Sequence, residues 1–425
     1  MSCKSSDDGS KSTDNSTSTD NTTTSTWTKQ LGTSSSDRGN GVITDSSGNI
    51  YVSGYTEGNL DGNTNSGQGD IFLVKYNSSG TKQWTKQLGT SKNEQGLGVT
   101  TDSSGSIYVT GFTNRGLDGN SHSGKSDIFL VKYNSSGTKQ WTKQLGTSSD
   151  EYGSGVTTDS SGSIYVTGYT KGGLDGNTNS GKSDIFLVKY NSSGTKQWTK
   201  QLGTSSDEYG SGVTTDSSGS IYVTGYTKGG LDGNTNSGQG DIFLVKYNSS
   251  GTKQWTKQLG TSKNEQGLGV TTDSSGSIYV TGFTTRGLDG NKSSGKSDIY
   301  LVKYNSSGTK QWTKQLGVES LDDLGNGVTT DSSGNVYVTG YTKGGLDGNT
   351  SSGESDIFLV KYNSSGTKQW TKQLGTCGND YGQGVTIDSS DNIYMTGCTR
   401  TCSSLGLDGN TNSGNYDIFL VKYNS

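Results

Sequence analysis

The chain has 425 residues, of which only 25% are hydrophobic, 68 are glycine and none is proline. This composition excludes a single thick hydrophobic core and leaves either disorder or many thin sheets that share apolar faces. A formal net charge of −4, from 35 basic and 39 acidic residues, gives no basic surface for nucleic acid, and no apolar run is long enough to span a membrane.

The first 26 residues are dominated by serine and threonine and predict a disordered polar tether over 1–26. Cys3 lies at its start, and a cysteine followed by a polar tether is how a mature bacterial lipoprotein begins. The apolar signal segment that would precede such a cysteine does not stand before Cys3. We therefore expect either lipidation of Cys3 or an incidental cysteine, and membrane contact only through such an anchor.

A repeat fills the rest of the chain, from 27 to 425, and each copy begins at a tryptophan. Successive tryptophans are 57 residues apart five times and 58 residues apart once. Repetition at this period predicts an array or ring of equivalent units rather than two or three separate globular domains. The units begin at Trp27, Trp84, Trp141, Trp198, Trp255, Trp312 and Trp370.

Each unit contains four segments rich in β-branched and aromatic residues, which alternate with polar residues except in the third segment, where the apolar residues form a continuous run. Alternation of this kind predicts strands, which we name A, B, C and D in chain order. In the third unit, strand A is predicted over 155–159, strand B over 164–170, strand C over 184–190 and strand D over 195–202. Apolar residues do not recur at helical spacing, so essentially no helix is expected.

Short turns connect these strands in pairs. Asp159-Ser-Ser-Gly162 joins strand A to strand B, and Asn191-Ser-Ser-Gly194 joins strand C to strand D. Asp or Asn at the first position and Gly at the fourth favour type I turns. Four antiparallel strands per unit, repeated seven times, predict an all-β fold: a seven-bladed β-propeller of four-stranded antiparallel blades.

The two ends of the repeat array complement each other. The last unit ends after strand C, at 417–423, and lacks a strand D. A strand D sequence lies instead at 27–31, before the first strand A. We therefore expect the N-terminal strand to complete blade 7 and close the ring, because closure removes the unpaired sheet edges of an open array.

Every unit carries Leu-Asp-Gly-Asn in the long connection between strands B and C, with a second Asp nine residues after the first. Clustered oxygen ligands are typical of calcium loops, although no bidentate Glu follows here. Alternatively, Asp and Asn form Asx turns that order the loop, since two carboxylates per loop would bind calcium weakly. The candidate calcium residues are Asp61, Asn63, Asp70, Asp118, Asn120, Asp127, Asp175, Asn177, Asp184, Asp232, Asn234, Asp241, Asp289, Asn291, Asp298, Asp347, Asn349, Asp356, Asp408, Asn410 and Asp417.

Three cysteines cluster in the last unit. Cys377 lies in the connection before strand A, Cys398 at the end of strand B, and Cys402 in an insertion of the connection that follows. Their clustering predicts one disulfide in an oxidising compartment, which joins Cys377 to Cys402 or to Cys398. Free thiols and a three-thiolate zinc site are the alternatives, although the single histidine, His122, is far away around the ring.

Two tracts of the first unit carry a family resemblance. They are Asp-Ser-Ser-Gly-Asn-Ile-Tyr-Val-Ser-Gly-Tyr-Thr over 45–56 and Asp-Ile-Phe-Leu-Val-Lys-Tyr over 70–76. Together they resemble the bacterial SBBP repeat family, and the match covers 27–425. The resemblance implies a seven-bladed propeller of an exported or surface protein and brings no catalytic residues with it. A weaker likeness to quinone-cofactor propellers rests on Gly-Thr-Lys-Gln-Trp over 194–198.

The two long connections of each unit, B to C and D to A, lie on one face of a propeller because strands B and D run in the same direction. Loops on a rigid scaffold commonly carry recognition, so this face is the expected binding face. One histidine, four arginines and no unique carboxylate cluster argue against an enzyme. We expect a monomeric, extracytoplasmic scaffold, on the cell surface or in the periplasm, that binds a protein or glycan. The alternatives are a structural spacer without a ligand and a hydrolase.

Overall fold

The computed structural model describes residues 26–424 and shows seven four-stranded antiparallel sheets around a central axis. This arrangement confirms the predicted seven-bladed β-propeller. Residues 1–25 of the predicted tether, Cys3 among them, lie outside the described residues. In the described part of the chain, no helix has the length and apolar character needed to cross a lipid bilayer.

The strands are numbered in chain order, and each blade contributes one sheet. They are β1 (Trp27–Leu31); β2 (Asp37–Thr44), β3 (Ile50–Thr56), β4 (Asp70–Tyr76) and β5 (Lys82–Leu88) in blade 1; β6 (Glu94–Thr101), β7 (Ile107–Thr113), β8 (Asp127–Tyr133) and β9 (Lys139–Leu145) in blade 2; β10 (Glu151–Thr158), β11 (Ile164–Thr170), β12 (Asp184–Tyr190) and β13 (Lys196–Leu202) in blade 3; β14 (Glu208–Thr215), β15 (Ile221–Thr227), β16 (Asp241–Tyr247) and β17 (Lys253–Leu259) in blade 4; β18 (Glu265–Thr272), β19 (Ile278–Thr284), β20 (Asp298–Tyr304) and β21 (Lys310–Leu316) in blade 5; β22 (Asp323–Thr330), β23 (Val336–Thr342), β24 (Asp356–Tyr362) and β25 (Lys368–Leu374) in blade 6; and β26 (Asn379–Ile387), β27 (Ile393–Arg400) and β28 (Asp417–Tyr423) in blade 7.

Each sheet runs from strand A at the axis to strand D at the rim. Strands A of neighbouring blades contact one another around the axis, as β2 contacts β6 and β26. Blade 7 has the order β26-β27-β28-β1, so its outermost strand comes from the start of the propeller. The antiparallel pairing runs from Trp27 opposite Lys422 to Leu31 opposite Ile418. The predicted closure of the ring is thereby confirmed.

Strand A is longer than the sequence predicted. In blade 3 it begins at Glu151 instead of 155, and a β-bulge lies between Gly153 and Gly155. Residues 151–154 were not recognised as part of the strand because the glycines around the bulge have no side chain and interrupt the alternating pattern. The connection before it is therefore shorter than expected, and the Glu151 side chain is fully buried. Strand D of the same blade begins at Lys196, one residue later than predicted.

The hydrophobic core is divided into seven layers, each between two neighbouring blades. In the layer between blades 1 and 2, Tyr51 and Leu73 pack with Val109 and Phe129, and all four are buried. Full burial of one such side chain stabilises the fold by about 1.5–3 kcal/mol. No blade buries both of its faces alone, which explains how a chain with so few apolar residues can fold.

The turns agree with the sequence prediction, and a further tight turn lies in each B–C connection. In the A–B turn of blade 3, Asp159 Oδ1 accepts hydrogen bonds from the backbone N–H groups of Ser161 (3.0 Å) and Ser163 (2.9 Å), and Gly162 has φ of 77°. This turn was not predicted from the sequence; its Asp and Gly residues have positive φ, and a hydrogen bond from the following Asn N–H to the Leu carbonyl closes it. These turns are Leu60–Gly62, Leu117–Gly119, Leu174–Gly176, Leu231–Gly233, Leu288–Gly290, Leu346–Gly348 and Leu407–Gly409.

Candidate functional site

The connections between strands divide the propeller into two unlike faces. In blade 1 the B–C connection covers 57–69, and the D–A connection to blade 2 covers 89–93. Both lie on the same face, which we call the long-loop face. The opposite face carries only the short turns, at 45–49 and 77–81 in blade 1. Sequence variation among the units falls mainly on the long-loop face, so this face is the candidate binding surface.

The second aspartate of each candidate calcium loop anchors the loop to the rim strand. Asp70 is fully buried, and its Oδ2 accepts hydrogen bonds from the Ser66 backbone N–H (2.9 Å) and from Gln87 Nε2 (3.1 Å). Gln87 also donates to the Gly58 carbonyl (3.0 Å) and accepts from the Leu60 N–H (3.1 Å). One glutamine thus joins strand D to both halves of the B–C connection.

The first aspartate of the loop has different partners. Asp61 adopts a φ of 51°, and its carboxylate accepts hydrogen bonds from the Lys82 ammonium and the Thr85 hydroxyl. Asn63 Nδ2 donates to the Leu60 carbonyl at 2.8 Å. These contacts agree with the turn interpretation, and the described residues contain no group of three or more Asp, Glu, His or Cys placed to hold a metal. Calcium binding by these loops and the turn interpretation both stay predictions.

A second set of carboxylates lies at the start of strand A and is also buried. Asp380 accepts hydrogen bonds from the Thr399 hydroxyl and from the Thr376 backbone N–H (2.6 Å). Burial raises the pKa of Asp380 to about 6, and the neighbouring Asp356 carboxylate adds to this effect. A raised pKa often marks a catalytic acid, but this group is fully buried among hydrogen-bond donors from its own blade. Its equivalents, all fully buried, are Asp37, Glu94, Glu151, Glu208, Glu265 and Asp323.

An arc of aromatic rings lies on the long-loop face of blades 2 to 4. Phe112 contacts Tyr152 edge-on with ring centroids 4.7 Å apart, and Tyr152 stacks on Tyr169 at 4.9 Å. Tyr169 contacts Tyr209 at 4.6 Å, and Tyr209 stacks on Tyr226 at 4.8 Å. The four tyrosines are partly exposed. We call these five residues the aromatic arc.

The sequence analysis did not single out the aromatic arc. With strand A predicted to begin at 155, Tyr152 fell in the connection before it, whereas the structure places Tyr152 and its equivalent Tyr209 in the second position of strand A. Variation at one position among otherwise similar units was the signal that could have found them. The residues at this position, from blade 1 to blade 7, are Arg38, Gln95, Tyr152, Tyr209, Gln266, Leu324 and Tyr381.

The cysteines of blade 7 lie on the same face. The structure joins Cys377 to Cys402 in a disulfide with Cα atoms 5.7 Å apart, which ties the D–A connection to the inserted B–C connection. Cys398 is a free, buried thiol. Burial raises its pKa to about 12, so the thiol stays protonated at neutral pH. With two of the three sulfurs joined to each other, the described residues offer no three-thiolate zinc site.

A cavity lies on the axis of the ring. It has a volume of about 220 Å³, and the residues that line it are glycines and valines of strand A. The lining residues are Gly41, Val42, Gly98, Val99, Gly155, Val156, Gly212, Val213, Gly269, Val270, Gly327, Val328, Gly384 and Val385.

The repeats match a known family. The beta-propeller repeat named SBBP matches the chain in seven segments that together cover more than half of it. The chain belongs to the SBBP repeat family. Each matched segment runs through strands D, A and B and reaches towards the B–C connection. The segments are 26–61, 83–118, 140–175, 197–232, 254–288, 311–347 and 369–400.

Two curated relatives resemble this SBBP propeller over most of its length. An uncharacterized WD repeat-containing protein, L264, of Acanthamoeba polyphaga mimivirus is 23% identical over 80% of the chain. The regulatory protein FlaEY of Caulobacter vibrioides is 25% identical over 87% of the chain. The chain spans only 33% and 43% of the lengths of these relatives.

Solved structures share the fold of this SBBP propeller at low sequence identity. The polysaccharide lyase Uly1 superposes with a TM-score of 0.51 at 11% identity. The superposition covers 91% of this chain and 90% of the Uly1 chain. The WD40 domain of Pan2 from Neurospora crassa gives a TM-score of 0.50 at 10% identity, with coverages of 90% and 88%. Similarity at this level shows a common propeller fold and nothing about activity.

Proposed function

We propose that this SBBP propeller is a non-catalytic scaffold that binds a protein partner through its long-loop face. The observation that carries the proposal is the aromatic arc, a row of partly exposed tyrosines on a rigid ring of strands. Tyrosine is enriched in protein interfaces because its ring supplies a large contact area at a small cost in conformational entropy. Each tyrosine of the arc also carries a hydroxyl that can donate a hydrogen bond to a partner.

Charged pairs beside the arc support recognition of a polar partner surface. Lys171 forms an ion pair with Asp150 at 3.0 Å, and Lys228 forms the equivalent pair with Asp207 at 3.3 Å. Lys171 follows Tyr169 by two residues, and Lys228 follows Tyr226 by two residues. They surround the apolar rings with polar groups, which is the usual arrangement of an interface centre and its rim.

A glycan is the second candidate ligand. The rings of the arc are bordered by hydroxyl, ammonium and carboxylate groups, as in the Lys171–Asp150 pair beside Tyr169. A sugar ring presents hydroxyls together with apolar faces, and such a mixed surface could satisfy it as well. Seven similar units would also let either kind of ligand engage several sites at once.

The absence of catalysis is part of the proposal. Catalysis needs acids, bases or nucleophiles that reach a substrate. The carboxylates with raised pKa, such as Asp323 and Asp380, are fully buried and hydrogen bonded within their blades. His122 lies 3.4 Å from the Asp127 carboxylate but stands alone, because it is the single histidine of the chain.

We also propose that the protein works outside the cytoplasm, at the bacterial cell surface or in the periplasm, and that Cys3 carries a lipid anchor. The Cys377–Cys402 disulfide supports an oxidising compartment. Mass spectrometry of the N-terminus from native cells tests the anchor, and cell fractionation tests the location. An unmodified Cys3 would exclude the anchor, and a cytoplasmic pool would exclude the location.

Matched variants test the binding proposal on a peptide array and a glycan array. The double variant Tyr152→Gln, Tyr209→Gln introduces the residue that blades 2 and 5 carry at this position, Gln95 and Gln266. The fold should therefore be retained. Wild type should bind peptides, and the double variant should bind them at least about tenfold more weakly, a change of 1.4 kcal/mol.

The control is Ser192→Gln, a change in a short turn on the opposite face, which should leave binding unchanged. Binding to glycans alone would favour the second candidate. No binding to either array would favour a structural spacer, and equal binding by wild type and the arc variant would move the site away from the aromatic arc.

A further inference from the structure

Two arginines share one tyrosine ring where blade 7 meets blade 1. The guanidinium carbon of Arg38 lies 4.3 Å from the ring centroid of Tyr416, and that of Arg400 lies 5.8 Å from it. Arg38 is the second residue of β2, Arg400 ends β27, and Tyr416 directly precedes β28. Contact with an aromatic face holds a guanidinium in place without neutralising its charge.

Neither of these guanidinium groups has an anionic partner among residues 26–424. The ion pairs of the described residues are formed by lysines and by His122, and none includes Arg38 or Arg400. The Nε of Arg38 is buried and has no hydrogen-bond acceptor. A buried donor without an acceptor destabilises the free protein, and an anion that accepts from Arg38 would remove this cost.

The other two arginines of the chain behave differently. Arg115 donates a hydrogen bond from Nη1 to the Ser91 hydroxyl at 2.6 Å, and Arg286 does the same to Ser262 at 2.7 Å. Both lie on the long-loop face with acceptors from their own blade. Within residues 26–424, the lack of protein acceptors for the Arg38 and Arg400 side chains therefore sets these two arginines apart from the other two on this face.

The junction also departs from the repeat. Tyr416 is a bulky aromatic residue at a position where every other blade has a small residue. It lies against blade 1, because it forms a parallel bridge with Ser36. The equivalent residues in blades 1 to 6 are Gly69, Ser126, Ser183, Gly240, Ser297 and Ser355.

An apolar side chain stands on the loop beside this junction. Leu405 is 63% exposed and is the one large hydrophobic residue among the described residues with high exposure. It belongs to the B–C connection that joins Arg400 to Tyr416 and that the Cys377–Cys402 disulfide holds in place. The connection that carries Arg400 therefore also carries an exposed apolar side chain on the long-loop face.

We propose that Arg38 and Arg400 bind a carboxylate of an acidic peptide segment whose neighbouring apolar side chain contacts Leu405. Arginine pairs with carboxylates through two parallel hydrogen bonds, and clusters of arginine recognise acidic motifs in proteins. The exposed leucine favours a peptide over an acidic polysaccharide, because uronic acid polymers have no aliphatic side chains. This inference rests on the proposed function, since it names the chemistry of the partner at one part of the long-loop face.

The test uses the full chain and a fluorescein-labelled hexapeptide of alternating Glu and Leu, with fluorescence anisotropy as the readout. The double variant Arg38→Gln, Arg400→Thr copies Gln95 and Thr285, which occupy the same positions in blades 2 and 5. The matched control is Arg115→Gln with Arg286→Gln, which removes the same charge from the same face. Melting temperatures establish that all variants fold.

Wild type and the control should bind the Glu-Leu peptide, and the Arg38/Arg400 variant should bind at least about tenfold more weakly. A peptide of alternating Gln and Leu should bind weakly to wild type. Its affinity should equal that of the Glu-Leu peptide for the Arg38/Arg400 variant. Equal loss in both double variants would indicate unspecific charge attraction and overturn the proposal. Binding of polygalacturonate in place of the peptide would overturn it in favour of an acidic glycan.

Failure of this inference and failure of the proposed function give different results. If no acidic peptide binds but the aromatic-arc variant still loses array binding, the arginine site falls and the scaffold proposal stands. If neither the arrays nor the acidic peptide show binding by wild type, both proposals fall.

Discussion

The indole ring of Trp141 lies against Gly194 of the next blade, where an added Cβ atom would stand 3.0 Å from the indole Cε2. Gly194 also has φ of 79°, so this turn needs glycine for two reasons: the left-handed backbone and the missing side chain. The contact couples strand D of one blade to the C–D turn of its neighbour. It recurs between Trp27 and Gly80, where it joins blade 7 to blade 1.

Two glycine substitutions in one repeat should separate these two reasons. Gly162 has φ of 77° but no atom within 4 Å of an added Cβ, so Gly162→Ala should cost roughly 1 kcal/mol through backbone strain alone. Gly194→Ala adds a clash with Trp141 and should cost at least about 2 kcal/mol. Urea unfolding measures both values, and equal costs would mean that the indole contact contributes nothing.

Removal of the closing strand should destabilise the whole ring. Deletion of residues 1–32 removes β1 and uncovers Ile418 and Leu420, which pack with Trp27 and Leu31 in the complete ring. Loss of the large side chains alone should cost at least about 3 kcal/mol. Truncation of 1–25 is the matched control and should leave the melting temperature unchanged. An unchanged melting temperature in the longer deletion would show that closure by β1 is not needed.

The buried carboxyls should make the protein more stable in mild acid than at neutral pH. Burial raises the pKa values of Asp323 and Asp380 to about 6, whereas a carboxyl in the unfolded chain titrates near 3.9. The folded state therefore binds protons more tightly than the unfolded state, and this stabilisation is full below pH 4 and is lost as the pH rises through about 6.

Replacement of both aspartates by asparagine tests this pH dependence. The free energy of unfolding of wild type should fall by at least about 1 kcal/mol between pH 4.5 and pH 7. The variant Asp323→Asn, Asp380→Asn should lose a large part of that fall, because asparagine does not titrate. Identical pH profiles for the two proteins would assign the dependence to other groups.

The thiols should react in an order set by burial and by the disulfide. In a Cys3→Ser background, native protein should show no rapidly reacting thiol, because Cys398 is buried and Cys377 is bonded to Cys402. Denaturation without reductant should release one thiol, and denaturation with reductant three. Two or more reactive thiols in the unreduced, denatured protein would contradict the disulfide.

Calcium should not change the stability of the propeller. The Asp61 carboxylate is occupied by Lys82 and Thr85, and Asp70 is buried against Gln87. A bound metal at a hundredfold excess over its dissociation constant would stabilise the fold by about 2.7 kcal/mol, which a melting curve resolves easily. A higher melting temperature with calcium than with a chelator would restore the calcium-loop interpretation.

Much of the fold could be predicted from the sequence because the repeat presents the same pattern seven times. Strands B and C of the third unit, 164–170 and 184–190, have the predicted bounds, since the pattern of strand B and the continuous apolar run of strand C are uninterrupted. The start of strand A was wrong, since the bulge between Gly153 and Gly155 breaks the alternation. Ring closure was predicted from the missing strand D and is confirmed by the pairing of β1 with β28.

The candidate site was harder to predict, because its residues come from different units. Tyr152 and Tyr169 face each other across a strand pair, but Tyr169 reaches Tyr209 only when two blades are packed together. The same holds for Arg38 and Tyr416, which are far apart in the chain and adjacent in the closed ring.

The sequence by itself determined the number of blades, the strand pairs and the turns, because hydrophobic alternation and turn chemistry act over a few neighbouring residues. Only the tertiary structure decided which side chains meet across the blade boundaries, which cysteines pair, and which carboxylates are buried. Those contacts depend on the angle and distance between neighbouring sheets. The packing of the whole ring determines both, and a local sequence pattern carries no information about them.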